Sequence, residues 1–134
     1  MVPVSPQPPP EESHSALARI ARDIARMHSA HYGKGPQRTK THRDGDLVTV
    51  VMRENLTPVE KTLVEGGRKA EVHALRRAFQ DVKREEMSAV VEAALERQVE
   101  TMMSQVSLEP DVNVEIFLLV PLDSAPEEDG ETTR

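Results

Sequence analysis

Apolar residues recur every three or four positions early in the chain, at Leu17, Ile20, Ile24 and Met27, a spacing that lines one stripe of a helix. A helix over residues 15–31 follows, with Ser13 or Ser15 placed to cap it. Arg19, Arg22 and Arg26 form another stripe that faces water or an anionic surface. Gly33 can adopt the left-handed backbone that ends a helix, and Gly35-Pro36 restricts how the chain leaves it. The period then changes to two. Residues 37–43 and Leu47 to Arg53 read as an antiparallel strand pair turning at Asp44-Gly45, a dipeptide suited to a type I′ hairpin. Val48, Val50 and Met52 share one face of the second strand, and Leu47, Thr49 and Val51 share the other.

The segment Thr57-Pro58-Val59-Glu60 carries the strongest helix start in the chain. Thr57 can cap the following amides, Pro58 sits where a missing donor costs little, and Glu60 completes a capping box. Gly66-Gly67 separates this short helix from a long one over residues 68–99, which contain no glycine or proline. Val72, Leu75, Phe79 and Val82 make its first apolar group. Met87, Val90, Val91, Ala94 and Leu95 make a second, offset one, so the spacing predicts a bend near Lys83 to Glu86 or contact with a different surface. Unbroken, such a helix would span about 48 Å, long for a domain of this size. Two final strands, Thr101 to Leu108 and Asn113 to Pro121, alternate around a turn at Glu109-Pro110-Asp111.

The element order is helix, β-hairpin, short helix, long helix, β-hairpin. It defines an α+β fold with a four-stranded antiparallel sheet packed with helices. Leu47 and Val51 on one strand, with Phe117 and Leu119 on another, predict a second apolar sheet face that needs cover from association, most simply as a homodimer. The domain is expected over residues 14–122. A proline-rich tail over 1–13 and an acidic tail over 123–134 are expected to be disordered.

Composition narrows the chemistry. Of 134 residues 37% are hydrophobic, but Tyr32, Phe79 and Phe117 are the only aromatics, so burial rests on aliphatic side chains. With no cysteine, disulfides, thiolate metal sites and cysteine nucleophiles are excluded, as expected of a cytoplasmic protein. No apolar run approaches the roughly 20 residues that span a bilayer, and the proline-rich start does not read as a secretory signal. The net charge of −6 divides unevenly. Residues 15–45 carry seven Lys/Arg against two acids, whereas residues 46–122 carry nine against fourteen. That dipolar distribution can orient a partner, including a second copy of the chain.

Candidate sites are few. Gly33, Lys34 and Gly35, with Arg38, Lys40 and Arg43 nearby, form a candidate partner- or anion-binding segment. It lacks the longer phosphate loop that precedes Gly-Lys-Ser/Thr, and a structural turn explains the glycines as well. Nucleic-acid binding is disfavoured by the acidic balance and by Tyr32 being the only aromatic in the basic half. His28, His31 and His42 lack the spacing of a metal site, so no metal or other cofactor is expected. Asp44, Asp46, Glu60, Glu85 and Glu86 have capping, turn or solvation roles, and no catalytic residue emerges. An unfamiliar enzyme using His31 or His42 stays open as an alternative.

Taken together, Gly33-Lys34-Gly35-Pro36, Asp44-Gly45-Asp46-Leu47-Val48, Leu56-Thr57-Pro58-Val59-Glu60-Lys61-Thr62-Leu63 and Gly66-Gly67-Arg68, in this order, resemble the MpsC domain family over residues 15–121. That family is labelled as part of a sodium-translocating, membrane-potential-generating system. The resemblance implies an accessory or regulatory subunit of a membrane ion-transport system, peripheral to the membrane through partner subunits and without direct insertion. A module for phosphate ligands or nucleic acid is the alternative.

Overall fold

The structure is a computed structural model, and it describes residues 10–122. The two tails expected over 1–13 and 123–134 lie outside the described residues, except that residues 10–13 belong to the first helix. Helix α1 spans Pro10–Tyr32, strands β1 and β2 span Arg38–Asp44 and Leu47–Arg53, and α2 spans Pro58–Glu65. Helix α3 spans Lys69–Leu95, and β3 and β4 span Val99–Ser107 and Val112–Leu119. The sheet is four-stranded in the order β1-β2-β4-β3, antiparallel throughout. The expected α+β architecture is therefore the observed one.

Local chemistry accounts for most boundaries. At the head of α2 the Thr57 hydroxyl accepts from the Glu60 amide at 3.2 Å, and the Glu60 carboxylate accepts from the Thr57 amide at 2.9 Å. These two bonds satisfy amides that a helix start leaves unpaired. The first hairpin differs from the expected type. Its loop is Gly45-Asp46, and only Gly45 takes a positive φ, +62°. Glycine at the first central position is the requirement of a type II′ turn, whereas type I′ needs positive φ at both. Helix α1 starts at Pro10, ahead of Ser13 and Ser15, so neither serine caps it. Helix α3 stops four residues earlier than expected, at Glu96, which enters the left-handed region at φ +54° and bonds back to Glu92 O at 2.8 Å. Glutamate is not a residue that announces such a stop.

Alternation assigns the two sheet faces. Val48, Val50 and Met52 of β2 pair across to Phe117, Glu115 and Asn113 of β4, and all six are buried on the inner face. Helices α1 and α3 close this face with Ile20, Ile24, Met87 and Val91. A smaller apolar cluster, Leu56, Val64, Val72 and Leu108, lies under α2. Phe117 and Leu119 therefore belong to the core and not to the outer face where the sequence placed them. A shift of one position exchanges the faces of a strand, and β4 is apolar at nearly every position. Its outward members are Val112, Val114, Ile116 and Leu118.

The long helix needs no bend to reconcile its two apolar groups. Its buried stripe runs Val72, Arg76, Gln80, Met87, Val91, spacings that keep one face inward along a continuous helix of about 40 Å. Polar side chains fill the middle of that stripe. Leu75 and Val82, expected in the core, are instead 51% and 76% exposed.

Candidate functional site

Three arrangements stand out: a buried polar seam, an uncovered sheet face, and the loop that carries the basic segment.

The seam separates the two apolar clusters. Along α3 Arg76 and Gln80 come between Val72 and Met87, and along β4 Asn113 and Glu115 precede Phe117. At its centre the Arg76 guanidinium grips the Glu60 carboxylate through two bonds, Nε to Oε2 at 2.7 Å and Nη2 to Oε1, and Nη2 also reaches the Asn55 carbonyl at 3.0 Å. Both side chains are essentially inaccessible. Burial alone would raise the Glu60 pKa, but the bonds from Arg76 and Thr57 outweigh it and hold the carboxyl below its usual range. Arg76 lies 3.9 Å from the centre of the Tyr32 ring, a cation-π contact, and Tyr32 in turn packs on Phe79 at 4.7 Å. His28 is fully buried, its Nδ1 bonded to Ile24 O at 3.0 Å, and burial depresses its pKa so that the ring stays neutral.

The second buried carboxyl behaves differently. Glu115 has no cation gripping it; Gln80 Nε2 donates to it at 3.0 Å and the Ser104 hydroxyl also donates. Burial pushes its pKa up to about 7, against these two opposing bonds. Around the seam, the Asn55 and Asn113 side-chain amides, the Tyr32 hydroxyl, Arg76 Nη1 and the Thr39 and Thr41 hydroxyls are buried without a protein partner. Polar cores with unmatched groups lower stability. Of the polar residues of the seam, only His28, Tyr32 and Glu60 were singled out from sequence. The available signal was positional, since His28, Arg76 and Gln80 each continue an apolar stripe at a spacing of four, and Glu115 shares the parity of Phe117.

The outer sheet face is apolar in its two central strands. Leu47, Val51, Val114, Ile116 and Leu118 lie there with Met103 of β3, and Leu47 and Met103 are exposed. No element among the described residues covers it. Arg38, Lys40 and His42 project from β1 on this side, alongside Asp44, whereas the outward positions of β3 are Thr101, Met103, Gln105 and Ser107. The face is thus an apolar strip with one basic margin and one uncharged margin.

The expected basic segment does not form one patch. Lys34 Nζ donates to Glu54 O at 2.7 Å, tying the α1–β1 loop to the end of β2. Arg43 points to the opposite face from Lys40, and its Nε bonds Gly45 O at 2.9 Å. Arg38 lies 3.6 Å from Glu54, both exposed. Gly33 follows the end of α1 at φ +78°, its amide bonded to Ser29 O at 3.0 Å. Gly35 passes so near α1 that a Cβ there would meet the Ser29 Cβ at 3.1 Å. Both glycines thus have a sufficient packing role, and Arg38 and Lys40 are the segment's outward-facing cations. His42 and His28 occupy opposite faces of the sheet, so the three histidines do not converge. Among the described residues no group of three His, Asp or Glu side chains is placed to hold a metal ion.

The fold and its surfaces define a small α+β domain whose sheet, among the described residues, is helix-covered on one side. No described helix is long and apolar enough to cross a membrane. The chain belongs to the MpsC family, described as Na+-translocating membrane potential-generating system (MpsC), which it matches over residues 12–120. No curated protein and no solved structure matches it.

Proposed function

We propose that the chain is a noncatalytic, cytoplasmic accessory subunit of a Na+-translocating membrane system, acting as a homodimer joined through the outer face of the sheet. Family membership supports the link to such a system. The observation that carries the dimer is the uncovered strip of Leu47, Val51, Val114, Ile116 and Leu118. Four strands spaced about 4.8 Å apart, each about 25 Å long, present roughly 500 Å2 in projection. With side-chain relief this approaches the roughly 800 Å2 per partner of a standard interface, enough for a dimer of modest affinity.

Charge favours one arrangement of the two copies. A twofold axis parallel to the strands brings β1 of each copy over β3 of the other, placing Arg38 and Lys40 against uncharged Ser107 and Gln105. The perpendicular axis would oppose the two basic margins. In the favoured arrangement the basic margins stay at the rim of the dimer, available to an acidic surface of an integral membrane subunit.

Co-purification with the membrane components tests the docking role. Charge reversal at Arg38 and Lys40 together is expected to lower recovery on membranes that carry the system while leaving the circular dichroism spectrum unchanged. Undiminished recovery of a folded double variant contradicts it. Since the dimer face is apolar, its loss would be read separately from the loss of docking.

A further inference from the structure

Among the described residues strand β3 is an edge of the sheet, and between it and α3 lies a groove of about 770 Å3, within the range of small-ligand sites. One face of α3 supplies His73, Arg77, Gln80 and Arg84, and β3 supplies Ser104. The helical residues recur every three or four positions, so they stand in one row along the groove. Arg77 makes no ion pair among the described residues, and the single carboxylate lining the groove, Asp81, lies 3.3 Å from Arg84. The lining is therefore net cationic.

Its floor is fixed rather than fluid. Gln80 is 5% exposed and bonds Glu115 at 3.0 Å, and Ser104 bonds the other oxygen of the same carboxyl. Both groups that hold Glu115 from behind thus reach the groove. With its pKa pushed up to about 7 by burial, Glu115 retains its proton through much of the range below neutrality and adds little negative field. Arg84 Nη1 also donates to the Met102 carbonyl. That guanidinium lies across the strand edge, where an added peptide strand would seek its backbone partner.

We propose that the α3–β3 groove is a binding site for a small anionic metabolite bearing a phosphate or carboxylate group. Arg77 and Arg84 hold the anionic group, His73 adds a donor at one end, and Gln80 and Ser104 contact the polar body of the ligand. The site lies away from the outer sheet face and is independent of the dimer.

Isothermal titration of the full chain with inorganic phosphate and, separately, with citrate, each against sodium chloride at equal ionic strength, tests the site and distinguishes the two anion classes. Saturable binding of at least one probe is expected, weakened about tenfold or more in Arg77→Gln, the loss of one charge-assisted contact. Lys61→Gln, on exposed α2, is expected to bind as the wild type does. Absence of saturation by both probes overturns the proposal. So does unchanged binding in Arg77→Gln, whose exposed position permits the fold to be verified independently by its melting curve.

Discussion

Glu60 and Glu115 are both buried carboxyls, yet their surroundings drive their protons in opposite directions. For Glu115 the folded pKa of about 7 exceeds the ordinary 4.5, so the folded state holds the proton more tightly than the unfolded chain does. Its contribution to stability is accordingly unchanged below about pH 4.5 and falls as pH rises towards 7, by on the order of 3 kcal/mol. Glu60 has the reverse sign, losing stability as pH falls through its depressed pKa, and buried neutral His28 opposes folding as pH drops below 6.5. The comparison of wild type with Glu115→Gln isolates the first effect. The variant is expected to gain stability relative to wild type steadily between pH 4.5 and 7 in urea melts; a difference independent of pH would contradict the assignment. Glu60→Ala leaves Arg76 buried without its counter-charge and is expected to cost about 3–5 kcal/mol, measured in the same way.

At the scale of elements, helix and strand existence was legible because the period changes cleanly from about 3.6 to two and because Thr57-Pro58 and Gly45 act through local geometry. Inward and outward directions were less legible. In α3 the hydrophobic residues Leu75 and Val82 advertise a buried stripe, but the core takes Arg76 and Gln80 because their partners Glu60 and Glu115 come from α2 and β4, distant in sequence. In β4 an apolar residue stands on both faces, so alternation alone cannot choose between Phe117 and Ile116. The assigned register makes a direct prediction. Val82→Lys is expected to change stability by no more than about 0.5 kcal/mol, while Met87→Ala, one stripe away, should cost about 2–5 kcal/mol. Chemical denaturation of the two variants gives the comparison, and equal costs would contradict the orientation of α3.

For the molecule as a whole, the basic segment that looked like one docking patch is divided between holding a loop, capping a hairpin and lining the outer face. Only Arg38 and Lys40 remain positioned beside the apolar strip. The candidate site was therefore less legible than the fold, since a patch depends on which side of a sheet each residue occupies, and that is decided by packing against α1 and α3. Among the described residues no helix covers the outer sheet face, and the proposed homodimer is the arrangement that would bury it.

Sedimentation equilibrium of the full chain across low-micromolar to high-micromolar concentrations tests this most directly. The wild type is expected to approach twice its 14.9 kDa mass as concentration rises, and Ile116→Asp, on the outward face of β4, is expected to remain monomeric with its helical spectrum intact. A wild-type chain that stays at its monomer mass throughout, or a folded Ile116→Asp that still dimerises, would contradict the outer face as the interface.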